Sequence, residues 1–188
     1  MIANFGLGGV FLFNWNGGGG VRSEGTLIQS NRISNSPLGI QVCGVSKAPI
    51  TLVNNTLENC SKGGIVICRR YFDLTAVYLE PNDNFFLTKN ITVTQNRFVA
   101  IDGPGIGLVN DVREVLDSTY TPNTQSGTTP DGPNLFQPSP RIESAAYQAD
   151  GTIKVTGTAS TSGQLEVYIS ERPGQFLGHH RHPATCRP

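Results

Sequence analysis

Thr26-Leu27-Ile28-Gln29-Ser30-Asn31-Arg32-Ile33 aligns with Thr51-Leu52-Val53-Asn54-Asn55-Thr56-Leu57, and both align with Thr92-Val93-Thr94-Gln95-Asn96-Arg97-Phe98. The shared pattern is apolar-x-x-Asn-x-apolar. Each copy continues in the same way, into Gly39-Ile40-Gln41-Val42, Gly64-Ile65-Val66-Ile67 and Gly105-Ile106-Gly107-Leu108. The Asn recurs after 24 residues and then after 41, so the second interval is one repeat plus an insertion of about 17 residues. Alternating side chains in such short units read as strands. One unit cannot bury its apolar row alone, so neighbouring units must stack, with strands about 4.8 Å apart. Asn31, Asn55 and Asn96 then share one angular position. There an Asn tolerates a left-handed bend, and its amide can bond the Asn above and below. An antiparallel sandwich with similar turns is the competing reading; three aligned copies with matching Gly-Ile continuations favour stacked parallel coils.

Composition agrees. The 188 residues include 22 Gly, 15 Asn and 17 Thr, and Val plus Ile (27) outnumber Leu, Ala and Met together (24). Gly and β-branched residues disfavour helices and favour short strands with many turns. Leu, Ile, Val and Phe total 50, too many for a disordered chain. All-α and dinucleotide-binding α/β folds are thereby disfavoured. Fourteen basic and fourteen acidic residues cancel, and no Lys or Arg run exceeds Arg69-Arg70, so no basic face for nucleic acid is visible. The longest apolar stretches, such as Gly9–Phe13, are far too short to span a membrane. The N-terminus lacks a basic region and is a poor signal peptide, so the chain reads as starting partway into a longer protein.

The repeat with its Asn row, from about Asn4 to Asp117, resembles the right-handed parallel β-helix repeat family of pectin-lyase-like proteins. A second resemblance lies downstream. Asp131-Gly132-Pro133-Asn134-Leu135-Phe136-Gln137, the strands Ile153–Gly157 and Leu165–Ile169, and Gly174-Gln175-Phe176-Leu177-Gly178 are similar to the junction of secreted bacterial β-helix proteins. There a GPN-x-x-Q segment after the last coil leads into an immunoglobulin-like module. The expected architecture is therefore all-β: a right-handed parallel β-helix (solenoid), a linker and an incomplete immunoglobulin-like β-sandwich. The expected divisions are coils over 1–117 with an insertion at 69–89, a Pro/Thr-rich extended linker over 118–140, a partial module over 141–178 and a disordered tail over 179–188. A complete sandwich needs about 100 residues, so the module is expected to be incomplete, with an exposed strand edge. The resemblance also implies a secreted or cell-surface protein.

Cys43 follows Val42 and Cys68 follows Ile67, so both occupy one slot in successive coils. Strand spacing lies within the Cα range of a disulfide. Free thiols stacked inward in a dry core fit as well and are favoured, because adjacent parallel strands rarely suit disulfide torsions. Cys60 and Cys186 have no evident partner, and no Cys/His spacing implies zinc. Sequons begin at Asn54, Asn59 and Asn90, but turn chemistry accounts for these residues.

Arg69 to Lys89 breaks the repeat, with Pro81-Asn82-Asp83-Asn84 as a turn signal. Tyr71, Phe72, Tyr78, Phe85 and Phe86 gather there with Arg69, Arg70 and Asp73. Aromatic faces flanked by charged donors can stack on sugar rings and hold their hydroxyls or carboxylates. Arg69, Tyr71, Phe72 and Tyr78 are the candidate ligand contacts, for a polysaccharide or cell-surface glycan. Sealing the insertion against the coil is the simpler use of the same aromatics.

Catalytic motifs are scarce. The Asn-Thr-Asp, Asp-Asp and Gly-His-Gly motifs of β-helical polygalacturonases do not occur. A pectate-lyase-like reaction needs an acidic calcium site and an arginine base, for which Asp102, Asp111, Arg70 and Asp73 are the nearest candidates. Asp102-Gly103-Pro104-Gly105 is also a plain turn, and Asp111 a plain strand end. Gly17-Gly18-Gly19-Gly20 lacks the Gly-Lys-Ser/Thr ending of a phosphate loop. No cofactor or metal is implied, except calcium should the chain be a lyase. A non-catalytic secreted or surface scaffold is the first reading; a fragment of a polysaccharide lyase or glycoside hydrolase acting on an acidic polysaccharide is the alternative.

Overall fold

The computed structural model describes residues 2–3, 8–13, 25–43, 49–70, 90–111, 113–120, 132–159, 164–168 and 183–185. Nine strands come first: β1 (Ile2–Ala3), β2 (Gly8–Phe13), β3 (Leu27–Gln29), β4 (Arg32–Cys43), β5 (Ile50–Val53), β6 (Thr56–Arg70), β7 (Ile91–Thr94), β8 (Arg97–Ile101) and β9 (Ile106–Asp111). They form two sheets. One is ordered β1-β4-β6-β8, with β2 also on β4 and β9 also on β6; the other is ordered β3-β5-β7. Every pairing within these two sheets is parallel. The antiparallel sandwich is thus excluded for this region, and the fold is all-β.

The register places the repeats on top of one another. Ile33 pairs with Leu57 and Leu57 with Phe98; Ile40 pairs with Ile65 and Ile65 with Ile106; Ile28 pairs with Leu52 and Leu52 with Val93. These columns, with Val42, Ile67, Ile50 and Ile91, form one continuous core, most of it fully buried. The Gly preceding each core Ile has a packing reason. A Cβ on Gly64 would lie 2.5 Å from the Gly105 carbonyl oxygen and 2.7 Å from Phe98 Cδ1, and one on Gly39 would collide with Leu57 and the Gly64 carbonyl. The chain passes too close to the neighbouring column for any side chain.

The Asn row is a hydrogen-bonded ladder. Asn31 N–H donates to Asn55 Oδ1 at 3.0 Å, and Asn55 N–H donates to Asn96 Oδ1 at 3.0 Å. The side-chain amides continue it: Asn55 Nδ2 donates to Ile28 O at 2.9 Å and to Asn96 Oδ1 at 3.0 Å, and Asn96 Nδ2 donates to Leu52 O at 2.8 Å. One expectation is corrected. The left-handed residue of each bend is the one before the ladder Asn, with φ of 56° at Ser30, 55° at Asn54 and 55° at Gln95. A second left-handed row runs through Asn35, Asn59 and Ala100, where Asn59 Nδ2 donates to Asn35 Oδ1 at 3.1 Å. Bend geometry therefore explains both Asn54 and Asn59, as it does Asn90 at φ 60°.

Cys43 and Cys68 are register partners joined by a disulfide, with Cα atoms 4.9 Å apart. This corrects the expectation of free thiols facing inward. Alternation along β4 and β6 turns Val42 and Ile67 into the main core, so the cysteines face the other way. There they join Leu38, Val66, Val109 and Val115 in a second core, closed from outside by α1 (Arg113–Leu116), Leu116 and Tyr120. Cys60 remains a free buried thiol, its pKa raised first by burial, against hydrogen bonds with Ser36 and the Glu58 backbone.

The segment expected as an extended linker is ordered in its second half. Pro133–Phe136 forms a single 3-10 turn with Gly132, Pro133 and Pro138 buried. Asn134, left-handed at φ 45°, accepts from Ile91 N–H at 3.0 Å and donates to Ile91 O at 2.8 Å. One amide side chain thus satisfies both backbone groups of an edge residue in β7, as a further strand would.

β10 (Arg141–Tyr147) and β11 (Ile153–Thr158) form an antiparallel hairpin, closed by Asp150-Gly151-Thr152 with Gly151 at φ 82°. The register slips between Ile142 and Ser144. That bulge at Glu143 brings Ile142, Ala145, Tyr147, Ile153 and Val155 onto one face. The strand Ile153–Thr158 therefore pairs backwards along the chain and not with the Gln164 segment. β12 (Gln164–Glu166) pairs instead with β13 (Pro183–Thr185), which lies in the tail expected to be disordered. That pairing is made by the backbone, so the tail carried no side-chain pattern to announce it.

Candidate functional site

Of the residues singled out for chemistry, Arg70 ends β6 and Asp111 ends β9. Arg70 and Asp111 are register partners there, and the insertion leaves the coil after Arg70 and rejoins it at Asn90. Tyr71, Phe72, Asp73 and Tyr78 lie outside the described residues, as do Phe85, Phe86 and the side chains of Arg69 and Arg70.

Asp111 has a structural task. Its Oδ1 accepts from Arg113 N–H at 2.9 Å, while its Oδ2 accepts from Arg113 Nε at 3.0 Å and Nη2 at 2.5 Å. Glu114 reaches back to accept from Asp111 N–H at 3.1 Å and Asn110 N–H at 3.2 Å. Glu114 thus reaches back to the Asp111 N–H as in a capping box, while Asp111 takes the Arg113 N–H at the start of α1. The sequence Asp111-Val112-Arg113-Glu114 carries that signal. The short helix in turn presents Val115 to the second core. Tyr120 packs beside it; burial raises its phenol pKa, opposed by a bond from the Leu108 backbone and reinforced by the Glu114 charge.

Asp102 is exposed in the turn between β8 and β9, where its own N–H donates to Cys60 O at 2.9 Å. The whole of β9 separates it from Asp111, a span of roughly 15 Å at about 3.3 Å per strand residue. Paired glycosidase carboxylates stand about 5–10 Å apart. The structure therefore does not bring these two acids onto one reacting centre. Among the described residues, no three His, Cys, Asp or Glu side chains gather where they could hold a metal ion. The Arg32–Glu58 ion pair, at 2.5 Å, lies on the exposed side of β4 and β6, where such pairs contribute little.

A second bonded titratable pair, Glu166 and Tyr168, carries no sequence motif. Glu166 accepts from Thr94 Oγ1, from Gln95 N–H at 2.8 Å and from the Tyr168 hydroxyl at 2.5 Å. The Tyr168 ring meets Phe98 edge-on at 5.0 Å. Burial raises the Glu166 pKa, but the hydrogen bonds from Thr94, Tyr168 and Gln95 outweigh it and hold the carboxyl below its ordinary range. Burial, then the bond to Glu166 and its charge, push the Tyr168 phenol strongly upward. Both residues lie far along the chain from their partners in the coil, and only the alternation of Leu165, Val167 and Ile169 marked this strand in the sequence.

Comparison with protein-family models, curated proteins and solved structures returns no match for this chain. No helix among the described residues is long and apolar enough to cross a membrane.

Proposed function

We propose that the chain is a right-handed parallel β-helix of the pectin-lyase-like kind, joined to an incomplete immunoglobulin-like module. In this reading it serves as a rigid, non-catalytic secreted or cell-surface scaffold. The observation that carries the proposal is the unbroken Asn31–Asn55–Asn96 ladder in register with the parallel columns of core residues. A stack satisfied internally at every level makes a stiff rod, suited to holding an insertion at a fixed place on its side. The 69–89 insertion, with Arg69, Tyr71, Phe72 and Tyr78, is the part that contacts polysaccharide or cell-surface glycan. The Cys43–Cys68 disulfide supports an oxidising compartment. The β10–β11 hairpin, apolar on one face, fits the opening strands of a sandwich module.

One observation speaks for the enzymatic alternative: Arg70 and Asp111 stand abreast on neighbouring strands, an acid beside the base that lyase chemistry needs. Against it, Arg113 holds both Asp111 oxygens.

A single panel separates the readings. The protein is incubated with neutral and acidic polysaccharides, with and without calcium, and assayed for retention, reducing ends and unsaturated products. Retention weakened by Tyr71→Ala with Phe72→Ala, without product, supports the scaffold. Turnover abolished by Arg70→Ala or Asp102→Ala replaces it with the enzyme, and neither retention nor turnover removes the glycan role.

A further inference from the structure

We propose that the segment Gln164–Tyr168 is a releasable cap on the last coil, held by a carboxylate that takes the place of a further coil's backbone acceptor and by a phenol that bonds that carboxylate. The substitution is visible group by group. In the interior, the N–H of each ladder Asn donates to the side-chain oxygen of the next: Asn31 to Asn55, and Asn55 to Asn96. At the end of the ladder, the Tyr168 ring packs against Phe98 and its hydroxyl donates to the Glu166 carboxylate at 2.5 Å. One residue earlier, Ser30 N–H donates to Val53 O and Asn54 N–H to Thr94 O; Gln95 N–H donates to a Glu166 carboxylate oxygen. The Ile33–Leu57–Phe98 column likewise ends on the Tyr168 ring.

A true next coil would offer neutral amides and carbonyls, indifferent to pH. This cap offers two titratable groups on a segment of five described residues, so its attachment depends on their protonation. Among the described residues, the charged or titratable groups around Glu166 are few. From the coil, the Ile91–Phe98 stretch contributes Arg97; β13 contributes none through Pro183, Ala184 and Thr185; its own segment contributes Tyr168.

Linkage fixes the signs. Glu166 is held below its ordinary value of 4.5, so its contribution is complete above that value and lost as pH falls through the lower value of the docked state. Tyr168 is raised from 10.0, so its contribution is complete below that value and lost as pH climbs through the raised one. The cap is therefore closed across the neutral range and opens in acid when Glu166 takes up a proton. It rests on the stacking register and not on glycan contact, so the two can fail separately.

Amide hydrogen exchange of the full chain, read at Gln95 as a protection factor, tests this. The Asn55 amide, which donates to Asn96 inside the stack, is the reference for intact coils. Between about pH 6 and about pH 3, protection at Gln95 should fall about tenfold or more while Asn55 keeps its own, as expected for losing a charge-assisted hydrogen bond. Glu166→Gln should weaken Gln95 protection at neutral pH and abolish its pH dependence. Tyr168→Phe, which removes the phenol's bond to the carboxylate, should weaken Gln95 protection and leave it titrating. Protection that is flat with pH in the unaltered protein, or unchanged by Glu166→Gln, overturns the proposal, as does simultaneous loss at Asn55.

Discussion

β4 and β10 are both regular strands, yet the last six residues of β4 are all buried and all seven of β10 are exposed. The difference is one of neighbours. β4 has β1 and β2 on one side and β6 on the other, with the main core against one face and the disulfide-containing second core against the opposite face. Among the described residues β10 has only β11, joined by backbone bonds and a Ser144–Thr156 hydroxyl contact of 2.6 Å. Two strands alone bury too little to be stable in water. Backbone pairing thus makes a strand in both places, but stacking makes it a structural member in only one.

The largest test of this contrast is Asn55→Ala. The side chain is 1% exposed and bonds Asn31, Ile28 and Asn96, so truncation strands several buried polar groups at once. A loss of about 3–5 kcal/mol is expected in equilibrium urea unfolding, from about 1–3 kcal/mol for each buried group left unpaired. Asn31→Ala, at the partly exposed start of the ladder, should cost about 1 kcal/mol. Equal losses at the two positions would mean that the ladder adds nothing beyond ordinary turn hydrogen bonds.

Glycine offers the next comparison, within the coil itself. Gly64 lies between two neighbouring chains, whereas a Cβ on Gly105 would meet only Phe98 atoms at 3.7–3.8 Å. Gly64→Ala should lower stability by about 1–3 kcal/mol through overpacking. Gly105→Ala, at ordinary contact distance, should stay within about 0.5 kcal/mol. Melting curves of the two variants decide it. If both are silent, the close approach of successive coils is not tight in solution.

Legibility in the sequence divides along the same line. The Asn and Gly-Ile rows are local and recur, so the sequence displays them and the structure stacks them. The contacts made downstream of the repeat recur nowhere. Asn134 finds Ile91, and Glu166 finds Gln95, because an amide or a carboxylate can imitate a missing strand, and no spacing announces such imitation. The cysteine slot was readable but its direction was not, since alternation alone does not say that both faces of β4 and β6 are covered. The outer cover is α1, whose start is bonded by Asp111 at the end of β9 and by Glu114. Asp111, read in the sequence as a candidate acid or a plain strand end, carries a capping task that reading did not include.

The smallest expected effect lies in the hairpin. Ile142 is 56% exposed and Tyr147 58% exposed, and both occupy the face that the Glu143 bulge makes apolar. Neither belongs to a core cluster. Ile142→Ser with Tyr147→Ser should therefore leave the urea midpoint of the coil within about 0.5 kcal/mol of the unaltered protein. The same pair should still raise solubility, because it removes exposed apolar surface. A shift of the coil transition by about 1 kcal/mol or more, beyond the usual surface-substitution range, would show that something covers this face and couples it to the stack. The contrast between β4 and β10 would then be one of degree, with the hairpin already supported as a sandwich strand is. With the coil unmoved and the solubility improved, the hairpin is attached to the stack by connection alone, and its apolar face contributes nothing to holding the rod together.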